Sequence, residues 1–214
     1  MRLTAPAVLA IFLLAPSAYA QRFVDITANA VWLDPTGGGS FEELEDPTEI
    51  DFDSDLGYGA AVNLFIGDRL SIELAASRVE PESNLTRRRA AGGPIVTSGD
   101  LQITPLTATL QFHFAPNGFI DPYVGAGAAY VLYDFSEGPE TDDIDQLDFD
   151  DDVGLAINAG LGIRLGSNFG LNFDAKYVPI ESNATAVIIG ENEEAQGTIE
   201  VSPIIISAGL SLRF

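Results

Sequence analysis

Period-two alternation of apolar and polar residues dominates the chain and is clearest at its end. Ile204, Ile206, Ala208, Leu210, Leu212 and Phe214 share one face of an extended segment, and Ile205, Ser207, Gly209, Ser211 and Arg213 share the other. Leu106, Ala108, Leu110, Phe112 and Phe114 alternate in the same way with Thr107, Thr109, Gln111 and His113. Residues 153–165 and 169–177 repeat the pattern, and weaker versions lie at 23–33, 56–66, 70–77 and 123–133. These runs have about the 9–11 residues that a tilted strand needs to cross a bilayer. The pattern predicts eight strands.

The connections alternate in length. Residues 66–69, 115–118 and 166–168 are short and rich in Gly, Asn, Asp and Pro, the chemistry of tight turns. Between them lie long polar segments at 34–55, 78–100, 134–152 and 181–202. Short turns at one end and long loops at the other is the layout of a membrane barrel with periplasmic turns. The expected fold class is therefore all-β, an eight-stranded antiparallel up-and-down transmembrane β-barrel with short periplasmic turns and long extracellular loops. A soluble sandwich has no reason to separate its connections so consistently.

Aromatic residues agree with this layout. Phe112, Phe114, Phe169 and Phe214 fall outward near the lower rim, and Trp32, Tyr58 and Tyr177 outward near the upper one. Two such girdles are expected where amphipathic rings meet lipid headgroups. A soluble ligand carrier of the lipocalin type would be apolar inside and polar outside. Here the more apolar face carries Phe112, Leu155, Leu171 and Leu210, and the opposite face carries Asn158, Arg164, Asp174 and Arg213.

The N-terminus fits delivery to a bacterial outer membrane. Met1-Arg2, an apolar run from Leu3 to Ala15 and the small-x-small sequence Ala18-Tyr19-Ala20 read as a signal peptide. Cleavage after residue 20 leaves a barrel domain over 21–214. Net charge is −22, from ten Lys and Arg against thirty-two Asp and Glu, which disfavours binding to nucleic acid. There is no cysteine and one histidine, so thiolate and histidine-rich metal sites are not expected, nor is any cofactor.

Several segments resemble the OmpW family of outer-membrane proteins. The residues that carry the likeness are Gly99-Asp100-Leu101, Pro105 to Phe114, Pro122-Tyr123-Val124-Gly125-Ala126-Gly127-Ala128-Ala129-Tyr130 and Val153-Gly154-Leu155-Ala156. Residues 168–180 and the closing run from Val201-Ser202-Pro203 to Arg213-Phe214 follow in order. The resemblance implies a monomeric eight-stranded barrel whose narrow lumen is associated with small hydrophobic molecules. The heavily acidic first and third long segments depart from the family pattern.

A barrel of this size has a lumen that side chains fill or that holds one small ligand. Near the periplasmic end the inward face carries Asp25, Glu73, His113, Arg164 and Arg213, a polar plug in which Asp25 and Arg213 are expected to pair. Toward the outer end it carries Val31, Leu33, Val131, Tyr133, Ala156 and Val178, a lining suited to a hydrophobic solute or simply a filled interior. Pro105 and Pro203 remove ladder hydrogen bonds near the outer ends of their strands, where a lateral gap would open.

The sequence thus points to a narrow uptake pathway for small hydrophobic molecules. The alternative is a non-transporting barrel that stabilises the membrane or binds lipopolysaccharide and divalent cations. The acidic runs favour solvation over a defined metal site, since residues 142–152 lack the glycine and terminal glutamate of an EF-hand loop. Arg87-Arg88-Arg89 is the one basic cluster, suited to lipopolysaccharide phosphates or to the acidic loops beside it. The single His113 is expected near Glu73 at the periplasmic end, far from outer-leaflet substrate. No nucleophile elbow or phosphate loop is present, so an enzyme is not expected.

Overall fold

The computed structural model describes residues 22–41, 48–87, 95–136, 144–149, 152–188 and 194–214. Residues 1–20, read as a signal peptide, lie outside the described residues, as do Arg88, Arg89, Asp142 and Asp143. The described residues contain strands and turns and no helix. The strands are β1 (Val24–Asp34), β2 (Gly37–Phe41), β3 (Thr48–Phe52), β4 (Asp55–Ile66), β5 (Leu70–Arg78), β6 (Glu82–Arg87) and β7 (Ile95–His113). They continue with β8 (Ile120–Ser136), β9 (Ile144–Phe149), β10 (Asp152–Arg164), β11 (Phe169–Tyr177), β12 (Ile180–Ile188), β13 (Glu194–Val201) and β14 (Ile204–Arg213).

Eight strands close on themselves in the order β1, β4, β5, β7, β8, β10, β11, β14 and back to β1, each pair antiparallel. These are the eight runs of alternation. Closure removes the free sheet edges that lipid cannot hydrate. Sequence-distant residues therefore become neighbours: Asp25 stands opposite Arg213 across the β1–β14 seam.

The alternation sorts side chains inside out relative to a soluble protein. Leu56 (71% exposed), Leu155 (71%), Tyr58 (67%) and Leu210 (64%) point outward, whereas Ser71, Gln111 and His113 are sealed inside. Phe112, Phe114, Phe169, Phe214, Tyr58 and Tyr177 of the expected girdles are all on the exposed outer face, and Trp32 is half-buried there. Glycine permits close approach at one lumen position. A Cβ on Gly160 would lie 2.2 Å from Cζ of Tyr123, so the bare backbone lets that ring lie across the interior. Gly67 closes the β4–β5 turn at φ +79°, the left-handed region open to glycine.

The long segments depart from expectation. The sequence predicts polar loops there, yet much of their length is strand that continues the wall outward. β6 pairs with the outer part of β7 in the register of the β5–β7 ladder below, and β12 pairs with β13 above β11 and β14. The hairpin β2–β3 bridges them, through β13 on one side and β6 on the other. The physical reason is that an established antiparallel register extends itself, each further pair satisfying backbone groups at no new loop-closure cost. Charge along a strand does not prevent this where its side chains reach water.

Candidate functional site

The lumen is divided into three levels. At the periplasmic floor, Arg22 reaches in ahead of β1 to bond Asp25 through Nε at 2.8 Å and Asp121 through Nη1 at 2.8 Å. Its guanidinium also sits 4.1 Å from the centre of the Phe65 ring. Arg213 approaches Asp25 at 3.7 Å, so the expected seam pair forms, but Arg22 is the closer partner. Arg164 is half-buried at the same end and donates to the Pro116 carbonyl at 3.1 Å.

His113 is placed differently from the expectation. Its partners are Asp121 at Nδ1 (2.8 Å) and the Ser71 hydroxyl at Nε2 (2.9 Å), not Glu73. Asp121 accepts, so Nδ1 carries a proton, and Nε2 pairs with the serine hydroxyl. Asp121, His113 and Ser71 thus stand in the order of a serine-hydrolase triad. All three are at most 2% exposed, with the Phe65 and Tyr123 rings 4.9 Å and 5.2 Å from the imidazole. The cluster is thus enclosed within the lumen.

Glu73 belongs instead to the middle level. It accepts a hydrogen bond from Lys176 Nζ at 2.8 Å, and Lys176 also donates to Thr107 at 3.2 Å and lies 3.7 Å from Asp174. Asp174 in turn accepts from Tyr123 (2.9 Å) and Asn158 (2.8 Å). Buried charges of this kind persist only when paired and hydrogen-bonded.

Above lies an apolar layer. Leu33, Val131, Ala156 and Val178 are fully buried, Val31 is 2% exposed, and Tyr133 packs against them. The layer is filled by side chains, with a cavity of only about 30 Å³ beneath it. Val79, Ile103 and Ile205 complete it. By sequence Val79 falls in a long polar segment and Ile103 between two segments, so neither carries an inward signal. Asp174 is placed on the inward face by its alternation, but Lys176, Asp121, Ser71 and Arg22 are not among the site residues that the sequence singles out. Asp174 and Lys176 did carry a signal, since both share the inward face of 169–177.

The wall beside the apolar layer is interrupted at two places: between β11 and β14, where the Val178 N–H reaches the Pro203 carbonyl at 3.1 Å, and between β5 and β7. The β5–β7 ladder ends at Ala76 and Leu106, and β6–β7 resumes at Glu82 and Asp100. Between them stands one isolated bridge, Val79 with Ile103, closed by hydrogen bonds of 3.1 and 2.8 Å. Hydrogen-bonded pairs alternate along an antiparallel ladder. In that register the next such pairs on either side include Pro105 and Pro81, neither of which has an N–H to donate. On the outer surface a groove of about 590 Å³ backs onto this region, bordered by Ala60, Leu74, Ala76, Leu106 and Tyr130.

The model of the OmpW family matches residues 24–214. The chain belongs to the OmpW family. Among its relatives, outer-membrane protein y4mB of Sinorhizobium fredii is 31% identical over 169 residues, covering 75% of this chain and 69% of that one. Outer membrane protein W of Vibrio cholerae is 27% identical over 179 residues, 80% and 79% of the two chains. In fold the chain is similar to the crystal structure of OprG from Pseudomonas aeruginosa, with a TM-score of 0.75 at 19% identity over 91% of this chain and 97% of that one. This OmpW-family member is an outer-membrane β-barrel.

Proposed function

We propose that this OmpW-family barrel is a narrow uptake pathway for small hydrophobic molecules and acts without chemistry on them. A solute enters from the outer tier, parts the apolar layer and leaves sideways between β5 and β7 into the membrane. The observation that carries the reading is the Val79–Ile103 bridge, a single latch between two proline-broken positions at the height of the apolar layer. The plug of Arg22, Asp25, Asp121 and His113 blocks the straight path below. The outer groove gives an emerging apolar molecule a lipid-facing surface to settle on.

The absence of native cysteine makes a direct test simple. Arg78 and Thr104 flank the bridge at a non-hydrogen-bonded pair, where Cα atoms stand about 4.5 Å apart, within disulfide reach. In the double variant Arg78→Cys/Thr104→Cys, oxidation should stop uptake of a hydrophobic fluorescent probe into proteoliposomes, and reductant should restore it. Uptake indifferent to the lock would overturn the lateral route.

A second reading has its own support. The filled apolar layer suits a barrel that transports nothing and serves the membrane structurally, through lipids, lipopolysaccharide or divalent cations at its acidic outer surface. A folded, reduced protein that takes up no probe would favour it.

A further inference from the structure

We infer that the space between plug and apolar layer is a head-group site for the end of an apolar chain. It takes a neutral or cationic hydrogen-bond donor, a primary alcohol or an alkylammonium, and turns away the carboxylate of the same chain. The inference rests on the uptake reading above and names its substrate class.

The cavity there measures about 30 Å³, room for about one water-sized group such as a hydroxyl or an ammonium. Val31, Pro105 and Ile205 form apolar parts of its wall, while Glu73, Asp174 and Lys176 supply the charge. An amphiphile standing head-down would leave its chain in the apolar layer.

Charge and hydrogen bonding both ask for a donor. Lys176 faces two carboxylates, Glu73 at 2.8 Å and Asp174 at 3.7 Å. Asp174 Oδ2 accepts from both Tyr123 and Asn158, so that oxygen is already engaged, and Oδ1 faces Lys176. Two carboxyl groups against one ammonium put acceptor oxygens in excess in a low-dielectric interior, where a further anion is strongly disfavoured. The side-chain oxygen of Asn29, which lines the same cavity, is buried without a hydrogen-bond partner. An incoming carboxylate would bring acceptors to acceptors and add a second negative charge.

Native mass spectrometry of the detergent-solubilised mature barrel tests this without requiring transport, using dodecanol, dodecylamine and dodecanoate as probes. Wild type should bind the alcohol and the amine about tenfold or more tightly than the carboxylate, one per barrel, the scale expected of burying one further anion beside Glu73. Glu73→Gln/Asp174→Asn leaves Lys176 unopposed and should reverse the order in favour of dodecanoate. Asn29→Leu, which fills the cavity, should lose the alcohol and amine adducts while keeping heat-modifiable migration, and it decides the matter if the double variant does not fold. Equal binding of the three probes, a carboxylate preference in wild type, or adducts that survive Asn29→Leu would overturn the inference. Selective adducts without proteoliposome uptake would keep the site and remove the transport reading instead.

Discussion

Lys176 on β11 and Glu73 on β5 stand on opposite walls of the eight-stranded ring and meet across it at 2.8 Å. The pair spans the barrel interior like a strut. It joins strands that share no hydrogen-bond ladder, and it does so where water is scarce. Neither charge would be tolerated alone at that depth.

Lys176→Met should therefore destabilise the barrel strongly, by about 3–5 kcal/mol, because it strands Glu73 and Asp174 without their cation. Urea unfolding in lipid vesicles reads the loss. The triple variant Lys176→Met/Glu73→Gln/Asp174→Asn should recover much of it, and a triple variant as weak as the single one would show that packing rather than charge is at stake.

Val131 is fully buried in the apolar layer. Val131→Arg places a long charged side chain there and should abolish uptake of a hydrophobic probe by the fraction that folds, which heat-modifiable migration measures separately. Undiminished uptake would mean that solute does not cross this layer.

Removal of Arg22 should act at the other end of the lumen. Arg22→Ala takes one charged donor from each of Asp25 and Asp121, leaving Arg213 and His113 as their remaining partners, and should cost about 1.5–3 kcal/mol. It also unseals the floor, so single-channel conductance to small ions in planar bilayers should rise. An unchanged conductance would place the tightest constriction higher, at the level of Lys176.

Leu210 is 64% exposed on the outer face near the middle of β14. Leu210→Arg should destabilise folding into vesicles by about 2–4 kcal/mol, as expected for arginine at lipid depth. A cost near zero would place that face in water and contradict the membrane assignment of the strand.

Much of the architecture was legible from local pattern. Phe112, Leu210 and Leu155 were placed outward, and Gln111, His113 and Arg213 inward, because the pleat alternates side chains whatever the rest of the chain does. The outer tier was not legible. Its strands alternate weakly and are charged, and only the ladders already formed below them bring β6 to β7 and β12 to β13. Among interior groups, Asp25 and Arg213 were paired correctly because they sit at the ends of the strands that must close the ring. His113 was assigned to Glu73 because both point inward, whereas Asp121 lies next to it on the neighbouring strand and Lys176 reaches Glu73 from the far wall.

The sequence by itself determined the number of membrane strands, the face each residue takes and which end carries the turns, since these follow from a two-residue period and from turn chemistry along the chain. Only the tertiary structure decided that the apolar layer is filled, that Lys176 and Glu73 meet although 103 residues apart, and that Pro81 and Pro105 flank one and the same bridge. Those facts depend on closure. Until the ring shuts, no local pattern says which inward side chains share a level, and it is at a shared level that charges pair, side chains fill space and a wall holds or gives.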